Sequence, residues 1–87
     1  MLRITEISEA NAVTLKLAGK LVGPWIGELR SACGRAAARY GTVRLDLADV
    51  SFVDADGIAL IRELAGGGLA IARTNPFVAE LLMTEKP

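Results

Sequence analysis

The chain has 87 residues, enough for one domain, which we expect to span residues 1–87. Ten Lys and Arg balance ten Asp and Glu, so the chain lacks the net positive charge typical of nucleic-acid-binding proteins. It contains no histidine, which excludes Ser-His-Asp and Cys-His catalysis and every histidine-ligated metal site.

The sequence also indicates where the protein resides. The first residues show no basic segment followed by an apolar one, so no signal peptide is predicted. No apolar run approaches the roughly 18 residues of a membrane-spanning helix. Cys33 is the only cysteine and cannot form an internal disulfide, which fits a reducing compartment. We therefore expect a cytoplasmic protein that does not insert into membranes.

The first part of the chain predicts a β-hairpin. Residues 2–7 form a candidate strand, and residues 8–11 form a turn. Residues 12–18 alternate apolar and polar side chains, which is typical of a half-buried strand. Gly19 is expected to end this second strand.

A helix is predicted to begin at Pro24, because proline is favoured in the first turn of a helix. Its apolar positions recur every three or four residues, at Ile26, Leu29, Cys33, Ala36, Ala37 and Tyr40. Gly34 lowers the helix propensity, so this helix depends on packing. Gly41 is expected to be its C-cap.

The stretch 43–64, VRLDLADVSFVDADGIALIREL, is the centre of the pattern. It opens as a strand, passes through a turn of small and acidic residues, and continues with a short apolar run at 51–53. After Asp54-Ala55-Asp56-Gly57 the apolar period becomes helical. We therefore expect a helix with two carboxylates at its start, where the positive end of the helix dipole favours acidic groups.

The last part of the chain predicts one more strand and one more helix. Gly66, Gly67 and Gly68 are expected to stop the central helix, and a strand follows at 69–72. Asn75 and Pro76 together indicate a helix start. The apolar side of this helix contains Phe77, Val78, Leu81 and Leu82, and residues 83–87 are expected to form a frayed tail. The order β-β-α-β-α-β-α predicts an α/β fold, a small mixed sheet with helices packed mainly on one face.

The segment LDLADVSFVDADGIALI resembles the signature of the STAS domain, the fold of the bacterial anti-sigma factor antagonists. In that family an apolar strand leads into Asp-Ser-Ser-Gly and an apolar helix, and a partner kinase phosphorylates the second Ser. Asp54 and Gly57 match the Asp and Gly of the motif. Asp56 stands where the phosphorylated Ser would be, and it has no hydroxyl.

The resemblance implies a non-enzymatic, protein-binding regulator in bacterial signalling or transcription regulation, without a cofactor. The implied partner is an anti-sigma factor kinase. The alternative is a small subunit that binds the ATPase of an ABC transporter in lipid trafficking. A second copy of the chain is a further candidate partner. Because Asp56 carries a permanent charge, we expect the module to be constitutive rather than switched by phosphorylation.

The predicted partner-binding residues lie in the DADG loop, on the following helix and at the start of the preceding helix. They are Asp54, Ala55, Asp56, Gly57, Arg62, Glu63 and Trp25. Structural interpretations stand beside these. Asp54 can cap the helix, Asp56 can merely stabilise the helix start, and Gly57 can serve close packing or a positive φ. Trp25 is either a packing residue or an exposed anchor.

The sequence disfavours several more specific functions, among them metal binding and phosphate binding. Asp46, Asp49, Asp54 and Asp56 could be interpreted as a Mg²⁺ cluster, but the chain lacks the other elements of a receiver domain. The three consecutive glycines follow a helix and precede no Gly-Lys-Ser/Thr, so they do not indicate a phosphate loop. Ser51 is expected to be structural, and Cys33 to be an inert core residue.

Overall fold

The computed structural model describes residues 1–84 and shows seven elements in the predicted order. They are β1 (Leu2–Glu9), β2 (Ala12–Leu21), α1 (Pro24–Arg39), β3 (Thr42–Val53), α2 (Ala55–Gly66), β4 (Ala70–Arg73) and α3 (Pro76–Thr84). Part of the predicted C-terminal tail, residues 85–87, lies outside the described residues. Met83 and Thr84 belong to α3, so the prediction that the tail begins at residue 83 was wrong.

The four strands form one sheet in the order β1-β2-β3-β4. β1 and β2 are antiparallel and form the predicted hairpin, but the turn contains only residues 10 and 11, because residues 8 and 9 belong to β1 and pair with β2. β2 and β3 are parallel, as are β3 and β4, because a helix crosses over between the strands of each pair. The mixed sheet predicted from the element order is therefore confirmed.

The three helices pack on one face of this sheet, and the core lies between the two layers. α1 contacts β2 and β3, whereas α2 and α3 both contact β3. The fully buried large side chains come from every layer and are Val13, Leu15, Leu17, Leu21, Leu29, Leu45, Leu47, Leu60, Ile61 and Val78. The opposite face is polar, and ion pairs join Lys16 to Asp49 and Arg73 to Asp46, each at 3.6 Å.

Gly19 does not end β2, contrary to the prediction. It lies inside the strand with a φ of +112°, a conformation that side chains rarely adopt. A Cβ at this position would lie 2.4 Å from the carbonyl oxygen of Met1. The glycine therefore allows β1 to approach closely, and Lys20 donates its N–H to the same Met1 oxygen at 3.0 Å.

The predicted turn of small and acidic residues before the apolar run at 51–53 is also absent, because β3 continues to Val53. Its register against β2 shifts between Asp46 and Asp49 and again between Val50 and Phe52, so β3 carries one extra residue at each place. Such bulges leave backbone groups unpaired. The Asp46 carboxylate accepts the N–H of Ala48 at 3.0 Å, which explains an acidic residue at the first bulge.

The glycines that follow the helices have different roles. α1 ends at Arg39 and its C-cap is Tyr40, which is extended, so the predicted C-cap at Gly41 was wrong. Gly41 instead packs against the β1–β2 turn and donates its N–H to the Asn11 carbonyl at 2.7 Å. α2 does stop in the glycine run as predicted, with Gly67 as its C-cap and a φ of +104° at Gly68.

Asn75 fixes α3 against β3. Its Oδ1 accepts the N–H of Val78 at 2.9 Å, the N-cap bond that the sequence predicted. Its Nδ2 also lies 2.9 to 3.2 Å from the carbonyl oxygens of Leu47, Ala48 and Val50. These carbonyls lie beyond the short β4, whose last partner on β3 is Asp46. The Asn75 amide thus caps α3 and also donates to backbone carbonyls of β3 that β4 does not reach.

Asn75→Ala is expected to lower the free energy of unfolding by about 2 kcal/mol, because it removes the cap and the donors to β3. Asn75→Asp keeps an acceptor for Val78 but sets a carboxylate against three carbonyl oxygens, so it should be at least as destabilising as the alanine. Urea denaturation measures the free energy of unfolding of both variants. Thr74→Ala, a change at the exposed residue before Asn75, is the control. An Asn75→Asp variant as stable as the wild type would contradict the proposed role of the amide donors.

Candidate functional site

Asp54 begins α2 and is its N-cap. Its Oδ1 accepts the N–H of Gly57 at 2.8 Å, and its carbonyl accepts the N–H of Ile58 at 3.0 Å. Its own N–H donates to the Leu21 carbonyl at the end of β2, at 3.3 Å. The end of the sheet and the first turn of α2 are therefore joined through one residue.

The second carboxylate oxygen of Asp54 extends this connection to α1. Oδ2 accepts the N–H of Gly23 at 3.4 Å. Gly23 immediately precedes Pro24 and provides no side-chain cap of its own. Asp54 thus binds backbone groups at the starts of both helices, where N–H groups lack partners within the helix. The predicted capping role is observed.

Gly57 is buried beneath this helix start. A Cβ here would lie 2.6 Å from Val53 Cγ1 and 2.7 Å from the Leu21 carbonyl oxygen. Its φ is not positive, so close packing explains this glycine and backbone strain does not. Because Gly57 is buried, it supports the helix start from below and offers little surface to a partner.

Asp56 and Ala55 are exposed in the first turn of α2. The carboxylate of Asp56 lies at the positive end of the helix dipole, which stabilises it. Ala59 and Glu63, three and seven residues after Asp56, are also exposed and share its side of the helix. We call Ala55, Asp56, Ala59 and Glu63 the α2 outer face.

Glu63 forms an ion pair with Arg30 of α1, in which both terminal nitrogens of the guanidinium donate to the carboxylate. These hydrogen bonds and the opposite charge lower the pKa of Glu63 and raise the pKa of Arg30. A carboxyl group whose pKa is lowered in the folded protein stabilises the fold at pH values above its ordinary pKa. This stability is lost as the pH falls through the lowered pKa. Both side chains are exposed, so solvent screens the effect.

Arg62 does not belong to the α2 outer face, although the sequence suggested that it would. It is half-buried, and its guanidinium donates to the carbonyl of Leu82 in α3. Helix carbonyls at a C-terminus lack partners within the helix, so this bond fixes the end of α3 against α2. The structure gives Arg62 a packing role between helices.

Trp25 lies on the other side of α1 from α2. Its half-buried ring packs against the core and lines a cleft with Leu2 and Ile4 of β1 and with Glu28 of α1. This is the placement that the packing interpretation predicted. A role in partner binding stays a prediction, and it would involve a surface separate from the α2 outer face.

Sequence reasoning missed two exposed features of the surface. Phe52 and Phe77 were placed in apolar runs, yet they are 47% and 44% exposed and stack on each other with ring centroids 6.4 Å apart. Phe52 lies at the second bulge in β3, next to Ser51, and there its side chain leaves the buried face of the strand. Ala59 was also missed, although its spacing from Asp56 could have indicated it.

The disfavoured alternatives find no support in the geometry. Asp46 and Asp49 lie in the sheet, and residues 1–84 contain no cluster of three or more acidic or cysteine side chains that could hold a metal ion. Ser51 donates its hydroxyl to the Gly19 carbonyl at 3.2 Å. Burial raises the pKa of the Cys33 thiol to about 11, so it is uncharged at neutral pH. Within the described part of the chain, no helix is long and apolar enough to span a membrane.

Comparison with solved structures confirms the fold that the motif predicted. The anti-sigma factor antagonist SpoIIAA, in its unphosphorylated form, superimposes with a TM-score of 0.70 over 93% of this chain and 78% of SpoIIAA, at 19% sequence identity. The chain therefore has the STAS fold of SpoIIAA.

Part of a larger protein has the same fold. A structure of Mglu matches 83% of this chain with a TM-score of 0.63 and 27% identity, but this covers only 19% of the Mglu chain. Mglu in its native form matches with a TM-score of 0.56 and 26% identity, over 82% of this chain and 22% of that one. No family model and no curated protein matches the sequence.

Replacing Asp54 tests the capping geometry. Asp54→Ala is expected to lower the free energy of unfolding by about 1–2 kcal/mol, because Gly57 and Gly23 both lose an acceptor. Asp54→Asn keeps one acceptor oxygen and should cost less. Asp56→Ala, which removes an exposed carboxylate from the same turn, is the matched control and should cost under about 1 kcal/mol. A thermal and urea melt in which Asp54→Ala equals the wild type would refute the cap.

Proposed function

We propose that this chain is a non-enzymatic regulatory module that binds another protein through the α2 outer face. The observation that carries the proposal is the exposed carboxylate of Asp56 on a helix start held at several points by Asp54. A partner that binds Asp56 need not order this helix start, so little conformational entropy is lost there. The STAS fold shared with an anti-sigma factor antagonist supports the same class of function.

The negative charge of this surface is always present. Phosphorylation of a serine adds nearly two negative charges, and the hydroxyl is required for that reaction. Asp56 provides one negative charge at the equivalent position without any enzyme. The module is therefore constitutive, and its partner is regulated by the amount of the module or by its own state.

Two classes of partner suit such a surface. By the resemblance, the first is an anti-sigma factor kinase, and the chain then acts in transcription regulation. The second is a cytoplasmic transporter ATPase, and the chain is then a fixed subunit. The permanent charge at Asp56 favours this second class as well, because a stable subunit needs no release by phosphorylation.

Cys33 and Ser51 are not activated as nucleophiles for catalysis. The sequence has no histidine, and Cys33 is buried and uncharged at neutral pH. The hydroxyl of Ser51 donates to a backbone carbonyl, which is not a base that could accept its proton. Catalysis by an activated nucleophile requires an adjacent base or a lowered pKa, so a binding role suits this domain better than an enzymatic one.

Reversing the charge at Asp56 tests the binding surface. The partner is first isolated by affinity purification from the native host and identified as a kinase or a transporter ATPase. Calorimetry then compares the wild type with Asp56→Lys, which should weaken binding by about tenfold or more, since each 1.4 kcal/mol is tenfold in affinity. The melting temperature should change little, because Asp56 is exposed.

Glu28→Lys is the matched control for this experiment. It reverses an exposed carboxylate on α1, on the side that faces β1 and away from α2. Its affinity for the partner should equal that of the wild type. Equal affinities for Asp56→Lys and the wild type would refute the proposed surface.

The absence of a phosphorylation switch is tested with the purified kinase and ATP. Intact-mass spectrometry should show no phosphate on the wild type. Asp56→Ser restores the hydroxyl of the family motif and serves as the positive control for the kinase. Phosphate on the wild-type protein, at Ser51 or within residues 54–57, would overturn the constitutive model.

A further inference from the structure

A groove separates the C-terminal halves of α1 and α2. It has a volume of about 680 Å³, which lies within the usual range for small-molecule sites. Glu63 and Leu64 line it from α2, and Leu69 lines it from the connection to β4. The DADG loop is at the opposite end of α2, so the groove lies away from Asp56 and shares only Glu63 with the α2 outer face.

Apolar side chains form part of the wall of the groove, and the wall carries no net charge. Its apolar lining consists of Cys33, Ala37, Val43, Leu64 and Leu69, with Tyr40 at one end. Arg30 and Glu63 are the two charged residues that line it, and they bind each other. Because their charges cancel, the groove offers no unpaired ion to a charged ligand and favours an uncharged one.

Gly34 lines the groove, and the fold itself does not require a glycine at this position. It lies in the middle of α1, where glycine costs about 1 kcal/mol relative to alanine. A Cβ at this position would meet no atom within 4 Å, and the φ is not positive. Neither close packing nor backbone conformation therefore requires glycine here. Its effect is to leave the groove wider.

Contacts and glycines of the chain itself bound the groove. The Arg30–Glu63 ion pair joins α1 to α2 at the edge of the groove. Gly67 and Gly68 line the end where α2 stops, and they carry no side chains that could fill the space. A site that exists before binding needs little rearrangement to accept a ligand.

We propose that this groove binds a small, uncharged, mainly apolar molecule. The apolar side chains of the wall supply the binding energy through burial, and the absence of net charge disfavours fatty-acid anions and cationic amphiphiles. Binding of this molecule does not depend on the partner-binding role of Asp56.

The test uses N-phenyl-1-naphthylamine, an uncharged apolar probe whose fluorescence rises in apolar surroundings. Titration of the 87-residue chain should show saturable binding to one site. Gly34→Leu places a side chain in the groove and should weaken binding by about tenfold or more, since each 1.4 kcal/mol is tenfold in affinity. Its melting temperature should rise, because leucine favours the helix more than glycine does.

Gly27→Leu is the matched control. Gly27 is also an exposed glycine of α1 at which an added Cβ would meet no atom within 4 Å, but it does not line the groove. This variant should gain helix stability and bind the probe like the wild type. Gly34→Ala adds a smaller side chain to the groove and should weaken probe binding less than Gly34→Leu does. It replaces Gly34→Leu in the test if that variant does not fold.

NMR titration locates the probe. Amide shifts at Ala37, Leu64 and Leu69 should change together and saturate with the fluorescence signal. Three results would each overturn the proposal: no saturable binding, shifts confined to another surface, or Gly34 variants that bind like the wild type. A charged analogue, 8-anilinonaphthalene-1-sulfonate, binding more tightly than the uncharged probe would contradict the proposed ligand class.

Discussion

The carboxylate of Asp54 is the contact on which the proposed site depends. Its two oxygens accept N–H groups from Gly57 and Gly23, which lie at the starts of α2 and α1. The N–H of the same residue binds the end of β2. Two helix starts and one strand end therefore share a single capping residue, and this fixes the direction in which α2 leaves the sheet.

What α2 presents to solvent follows from that geometry. Gly57 allows the first turn to lie against Leu21 and Val53, so the opposite side of the turn, with Asp56, must face outward. Asn75 acts in a similar way on α3, because one amide caps the helix and binds three carbonyls of β3. In both cases one polar side chain joins a helix start to the sheet and so sets the orientation of the helix.

The local pattern of the sequence predicted much of the fold, whereas contacts between distant residues were missed. The element order, the Asp54 and Asn75 caps and the parallel pairs follow from periodicity and capping residues, and they are observed. The close contact of Gly19 with Met1 was missed, because two separate strands create it. Arg62 was assigned to the surface for the same reason, since its partner carbonyl lies 20 residues away in α3.

Hydrogen–deuterium exchange of the chain with and without its purified partner tests the central claim most directly. We predict that binding slows exchange across residues 55–63, at the start and along the outer face of α2. Exchange in the β1–β2 hairpin should not change. Protection confined to the open face of the sheet or to α1, with residues 55–63 exchanging as in the free protein, would contradict the assignment of this surface.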